Sequence, residues 1–110
     1  MIFNRDGTNF TYTFHVGDNG HLYERRWDGA ESVLWDDFGR PATEMHNIPT
    51  GPDVGTTGIA SAPAAVAYTE PGPINKMFAF VIGKDNYLHH CFWDGNSWRW
   101  NDLGADPQDT

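Results

Sequence analysis

Three charged residues in a row, Glu24-Arg25-Arg26, interrupt a stretch that otherwise reads as alternating apolar and polar. Successive residues of a strand point to opposite faces, so Glu24 and Arg26 share one side and Arg25 points away. A carboxylate beside a guanidinium fork offers paired acceptors and paired donors, the set that grips adjacent hydroxyls. On a solvated face the same residues only pair with one another across strands, which adds little stability. His89-His90 has the composition of a metal or catalytic pair, but as strand neighbours the two rings face opposite ways. They cannot both ligate one ion, and no second cluster with zinc-like spacing is present. Cys91, in an apolar run beside Phe92, reads as a small buried hydrophobe. Asp36, Asp37 and Asp102 fall in two copies of a Trp-x-Asp-Φ-Gly phrase, where a carboxylate caps a turn. The chain has no Ser/His/Asp signature, phosphate-binding glycine loop or sialidase-type Asp box, and nothing marks the carboxylate pair that glycoside hydrolysis needs. The expectation is a protein that is not an enzyme and needs neither cofactor nor metal.

These residues recur in a repeat. Tyr12 to Gly29 and Phe78 to Gly95 align at an offset of 66, matching Phe14/Phe80, Gly17/Gly83, Leu22/Leu88 and the whole Trp-Asp-Gly at 27–29 and 93–95. One residue then drops out, and Trp35/Trp100, Asp37/Asp102 and Gly39/Gly104 coincide. A fixed period carrying strand patterns and turn signals marks a repeat architecture. In the second copy, strands are expected at Ala62 to Thr69, Met77 to Ile82, Leu88 to Trp93 and Trp98 to Leu103. Pro71-Gly72-Pro73, Gly83 to Asn86 and Asp94-Gly95-Asn96 turn the chain between them, Asp-Gly supplying the positive φ that tight hairpins require. The first copy repeats the plan with an abbreviated first strand near Met1 to Asn4, a strand around Phe10 to Val16, Leu22 to Trp27, and Val33 to Phe38. Helix signals are almost absent, so the fold class is all-β, each repeat being a four-stranded antiparallel unit of the kind that forms a propeller blade. The expected division is residues 1–39, a connecting loop at 40–61 and residues 62–110. That loop is rich in Gly, Pro and Thr and lacks periodicity; it reads as a surface excursion or as a loop overhanging a site.

At 110 residues the chain can build one ordinary core. Its formal charge of −8 argues against nucleic acid or an anionic membrane as partner, since both need a basic surface. A single cysteine excludes an intrachain disulfide. With no signal-like N-terminus and no apolar run of membrane-spanning length, the location is expected to be cytoplasmic or reached by another export route.

The strand context of Trp-Asp-Gly, with Gly-x-Asp/Asn before it, Trp-x-Asp-Leu/Phe-Gly after it and Ser61-Ala62-Pro63-Ala64-Ala65-Val66 leading the second copy, resembles the blades of fucolectin-type β-propeller lectins. Some members of that family are two-blade chains that trimerise into a six-bladed ring. The resemblance implies a non-catalytic carbohydrate-binding protein, glycans or fucose-like monosaccharides as partners, and a homotrimer. Apolar residues such as Phe78, Phe80, Trp98 and Trp100 need cover that a closed ring of identical chains supplies. Fucose-binding members use a second-strand Arg, a Glu three residues before the Trp of Trp-Asp-Gly, and a stacking Trp from a neighbouring blade. Glu24 stands at that Glu position and His90 at its counterpart, whereas Thr13 and Ala79 occupy the Arg positions. The sugar-binding candidates are therefore Glu24, Arg26, Trp35, His90, Trp98 and Trp100, with Trp27 and Trp93 expected to pack as core beside the hairpins. The alternative is a structural or protein-interaction propeller whose sugar sites have decayed, or a piece of a longer propeller.

Overall fold

The computed structural model describes residues 2–5, 8–27, 33–69 and 75–105. The turns expected at Asp28-Gly29 and Pro71-Gly72-Pro73 lie outside them. Every described element is a strand, and the strands form two antiparallel sheets. The first takes β1 (Ile2–Arg5), β2 (Thr8–Val16), β3 (Leu22–Trp27) and β4 (Val33–Asp37) in simple sequence order. The second takes β6 (Ala64–Thr69), β7 (Asn75–Ile82), β8 (Tyr87–Trp93) and β9 (Trp98–Ala105) in the same order. A short strand from the connecting segment, β5 (Ile48–Pro49), is added outside β9. The sequence reading missed it because two residues carry no alternation to detect.

The hairpins form where turn chemistry allows. Asn86 takes a φ of 64° in the Gly83–Tyr87 turn, and its amide donates to the Gly83 carbonyl. Gly95 takes 99° in the tip between β8 and β9, where Asp94 accepts the Asn96 and Ser97 amides. Asp37 and Asp102 accept the Gly39 and Gly104 amides two residues on, the turn-capping role expected of them. Asp102 also accepts the Glu44 amide, which ties the connecting segment to β9.

The two sheets stack. One face of the first sheet, with Tyr12, Leu22 and Glu24, lies on the face of the second that carries Met77, Ala79, Val81, Cys91, Trp93, Trp98 and Trp100. Phe14 meets Trp98 edge-on at 5.9 Å between centroids, and Phe38 lies 4.8 Å from it. Phe38 also accepts the Trp100 indole N–H at 2.7 Å, so one tryptophan bonds both sheets. Aligned through the repeat, the faces in contact are not counterparts. Tyr12, Phe14, Glu24 and Arg26 correspond to Phe78, Phe80, His90 and Phe92, which lie on the outer face of the second sheet. Thr13, Arg25, Trp27 and Trp35, the counterparts of the buried face of the second sheet, lie on the outer face of the first. Within one chain, each sheet keeps one face uncovered by the other.

The segment 40–61 is fastened along the second sheet, the Thr50 amide donating to the Trp98 carbonyl and the Ala60 amide to that of Ile82. Gly55 has a φ of 73°, and a Cβ there would overlap the Arg40 carbonyl. Gly55→Ala is expected to cost about 1–3 kcal/mol through strained backbone and forced separation, read as a lowered urea midpoint.

Candidate functional site

Glu24 lies in the middle of β3, opposite Phe14 on one side and Asp36 on the other. It is 0% exposed. The register places Arg26 one pleat along on the same face, where its Nη1 donates to Glu24 Oε2 at 2.9 Å, to Oε1 at 3.2 Å, and to Asp36 Oδ2. Burial pushes the Glu24 carboxyl up to about 8; a hydrogen bond with Asp36 adds to this, and the Arg26 charge only partly offsets it. At neutral pH Glu24 therefore holds its proton and donates it to the Asp36 carboxylate. Arg26 and Asp36 then balance each other, and the cluster is neutral.

The cluster borders an open groove of about 450 Å³ between the sheets. Arg26 and Asp36 form one wall, Trp93 and Trp98 the facing wall, and Thr50 and Gly51 of the connecting segment the rim. Glu24 sits beneath Arg26 and Asp36 rather than in the groove lining. Trp98 is 6% exposed, and its indole N–H has no hydrogen-bond partner within the described residues. The groove thus joins an acceptor carboxylate, a guanidinium and two mostly buried indoles, while the unpaired Trp98 N–H lies beneath its surface. That set suits a polyhydroxylated ligand, whose hydroxyls need both donors and acceptors and whose C–H patches pack on indole rings.

The six candidates separate. Arg26 and Trp98 meet at the groove, whereas Glu24, expected to grip a sugar, is sealed beneath Arg26 and presents nothing to a ligand, because the second sheet closes over it. Trp35 is 48% exposed on the opposite face of the first sheet, its ring covered by the Arg25 guanidinium at 3.7 Å. Trp100, expected as a stacking ring, is 0% exposed and presents no face to a ligand, because it lies at the centre of the stacked sheets. His90 faces away from the groove, among Phe78, Phe80 and Phe92 at 5.3, 5.5 and 5.0 Å. Trp93, assigned to the core, is mostly buried yet also lines the groove. The residue missed was Asp36, read as a turn cap. The signal was available: in a hairpin pairing Trp27 with Val33, Asp36 must stand opposite Glu24.

His89 and His90 do point to opposite faces. His89 is buried, its Nε2 3.0 Å from Asp85 Oδ2, and Asp85 also accepts the Thr43 hydroxyl at 2.8 Å. Burial alone would raise the Asp85 carboxyl, but hydrogen bonds from Thr43 and the Tyr87 amide hold it below the ordinary value. This arrangement fastens the connecting segment to the β7–β8 turn. Cys91 is sealed in the core, its thiol pushed well up by burial and further by the Glu24 and Asp36 charges. Compared with known protein families, curated proteins and solved structures, the chain matches none.

Proposed function

We propose that the chain is a non-catalytic carbohydrate-binding protein, that the groove between its sheets holds a saccharide, and that identical copies close into a propeller ring. The observation that carries the reading is the meeting of Arg26 and Asp36 from one sheet with Trp93 and Trp98 from the other in a single groove. A clamp of donor and acceptor on one wall and indole on the facing wall is what a monosaccharide requires. Ring closure is supported by the two faces that the chain leaves uncovered, since the contact already made inside one chain can be repeated between copies. Three copies would supply six sheets. Several weak sites on one ring act together through effective concentration.

The alternative, a structural or protein-interaction propeller, is favoured by one observation: where the first sheet has Glu24, Arg26 and Asp36, the second has His90, Phe92 and Asn101. The test is saturation-transfer NMR against a panel of monosaccharides including fucose, using wild type, Asp36→Asn and Trp98→Phe. Binding by wild type weakened about tenfold or more in either variant, the size of one charge-assisted hydrogen bond, is the expected result. No binding at millimolar sugar would leave the structural reading standing.

A further inference from the structure

Phe78, Phe80, His90 and Phe92 form a half-buried aromatic patch on the outer face of the second sheet. A hollow of about 300 Å³ opens there, lined by Phe78, His90 and Phe92, with Lys76, Asp94 and Asn101 around them. The His90 imidazole is enclosed by the three phenyl rings, and its buried Nδ1 has no hydrogen-bond partner within the described residues.

The contact inside the chain indicates what faces this patch. There, the face bearing Tyr12, Leu22 and Glu24 is buried against the one bearing Ala79 and Cys91, and the Glu24 and Asp36 carboxyls act on the Cys91 thiol. Through the repeat, Glu24 corresponds to His90, Asp36 to Asn101 and Cys91 to Arg25. Stacking the outer face of one copy's second sheet on the outer face of another's first sheet, in the same relation, sets Arg25 opposite His90. Arg25 is exposed, and its guanidinium already lies over the Trp35 ring, 3.7 Å from the centroid. Where the chain opposes an acidic pair to a neutral thiol, the contact between copies would oppose an aromatic cage to a guanidinium.

We propose that Arg25 of a second copy seats in the hollow formed by Phe78, His90 and Phe92, making a cation–π contact that is lost when His90 is protonated. The inference rests on the ring closure proposed above. A guanidinium over ring faces gains most when desolvated, as in a sealed sheet-to-sheet contact. A protonated His90 would bring a second cation to the same place. The groups facing His90 offer it no relief: Phe80 on β7 and Asn101 on β9 are its register partners. Lys76 is a further cation of the hollow, and the Asp94 carboxylate is engaged by Arg99 at 3.4 Å. From the second copy come Arg25 itself, with His15, Tyr23 and Asp37 on its face, the Asp37 carboxylate lying 3.0 Å from the His21 ring. Burial already lowers the His90 pKa, in keeping with a ring that stays neutral in the contact.

The test is native mass spectrometry with sedimentation velocity on wild type, Arg25→Ala and His90→Phe at pH 7.5 and 5.5. Expected are an assembly of wild type at pH 7.5 that dissociates at pH 5.5, at least tenfold weaker association of Arg25→Ala at pH 7.5, and retention of assembly by His90→Phe at both pH values. Arg25 lies outside the groove, so Arg25→Ala should keep its sugar affinity, which also reports that the variant is folded. A wild-type assembly indifferent to Arg25→Ala, or dissociating in acid alike with and without His90, overturns the cage and leaves the ring. A wild type monomeric at both pH values overturns both.

Discussion

Conformational stability is expected to fall as pH rises from about 5 to 8, and Glu24→Gln is expected to remove most of that fall. The sign follows from the proton count. An unfolded Glu titrates near 4.5, whereas folded Glu24 titrates near 8. Between those values the native chain holds a proton that the unfolded chain has released, so raising the pH favours unfolding. The limiting slope is about 1.4 kcal/mol per pH unit for one such group. The contribution is complete below 4.5 and gone above 8. Glu24→Gln keeps the size of the side chain and a donor for Asp36 without a proton to lose. At pH 9 the variant should be more stable than wild type by roughly 2–5 kcal/mol, and the two should converge near pH 5. Other groups, such as Asp85 and Asp94, whose lowered pKa values make stability decline in acid, are common to both proteins and cancel in the difference. The measurement is the urea midpoint of both across pH 5 to 9. Parallel curves would mean that Glu24 is ionised in the folded chain.

The second large effect belongs to Trp100. Trp100→Ala is expected to cost about 3–5 kcal/mol by leaving a cavity at the centre of the core. Against a typical total of roughly 5–15 kcal/mol for such a domain, that loss brings the chain near unfolding. Trp100→Phe gives up the hydrogen bond but only part of the volume. It retains an aromatic ring but removes the 2.7 Å indole bond to the Phe38 carbonyl, which keeps only the longer one from the Gly51 amide at 3.4 Å, for about 0.5–1.5 kcal/mol. Urea denaturation of both variants orders the effects, Ala beyond Phe. Equal losses would mean that the phenyl ring that Phe retains adds nothing, the stabilisation lying in the hydrogen bond and the rest of the indole. Trp98, two residues away on the same face, cannot be read from this result, because it borders the groove and Trp100 does not.

That contrast shows where sequence reasoning stopped. Alternation assigned Trp98 and Trp100 correctly to one face, and Glu24 and Arg26 to one side of β3, because a strand's period of two is fixed by backbone geometry. The repeat located eight strands through their turn chemistry. Depth was not legible. Whether a residue on a buried face borders a groove or sits at the centre depends on how far the facing sheet extends over it. Only the stacking of the two sheets decides that Trp100 is sealed and Trp98 is not. Glu24 was singled out through the resemblance, as the Glu three residues before Trp27, but its position beneath Arg26 and Asp36 depends on the second sheet closing over it. Asp36 was hidden by a plausible rival role: a carboxylate beside a Trp-x-Asp-Φ-Gly turn reads as a cap. Its neighbour Asp37 does serve as one.

The short strand β5 has a consequence for solubility. Without it, β9 would be the open edge of the second sheet, its backbone donors and acceptors free to recruit a strand from another molecule. Ile48 and Pro49 occupy that edge opposite Trp100 and Arg99. Proline has no N–H, so the outermost residue facing Arg99 cannot extend the ladder as a donor. The connecting segment thereby acts as a guard against edge-to-edge aggregation, and shortening it to a minimal linker would expose to self-association the strand that carries Trp98 and Trp100.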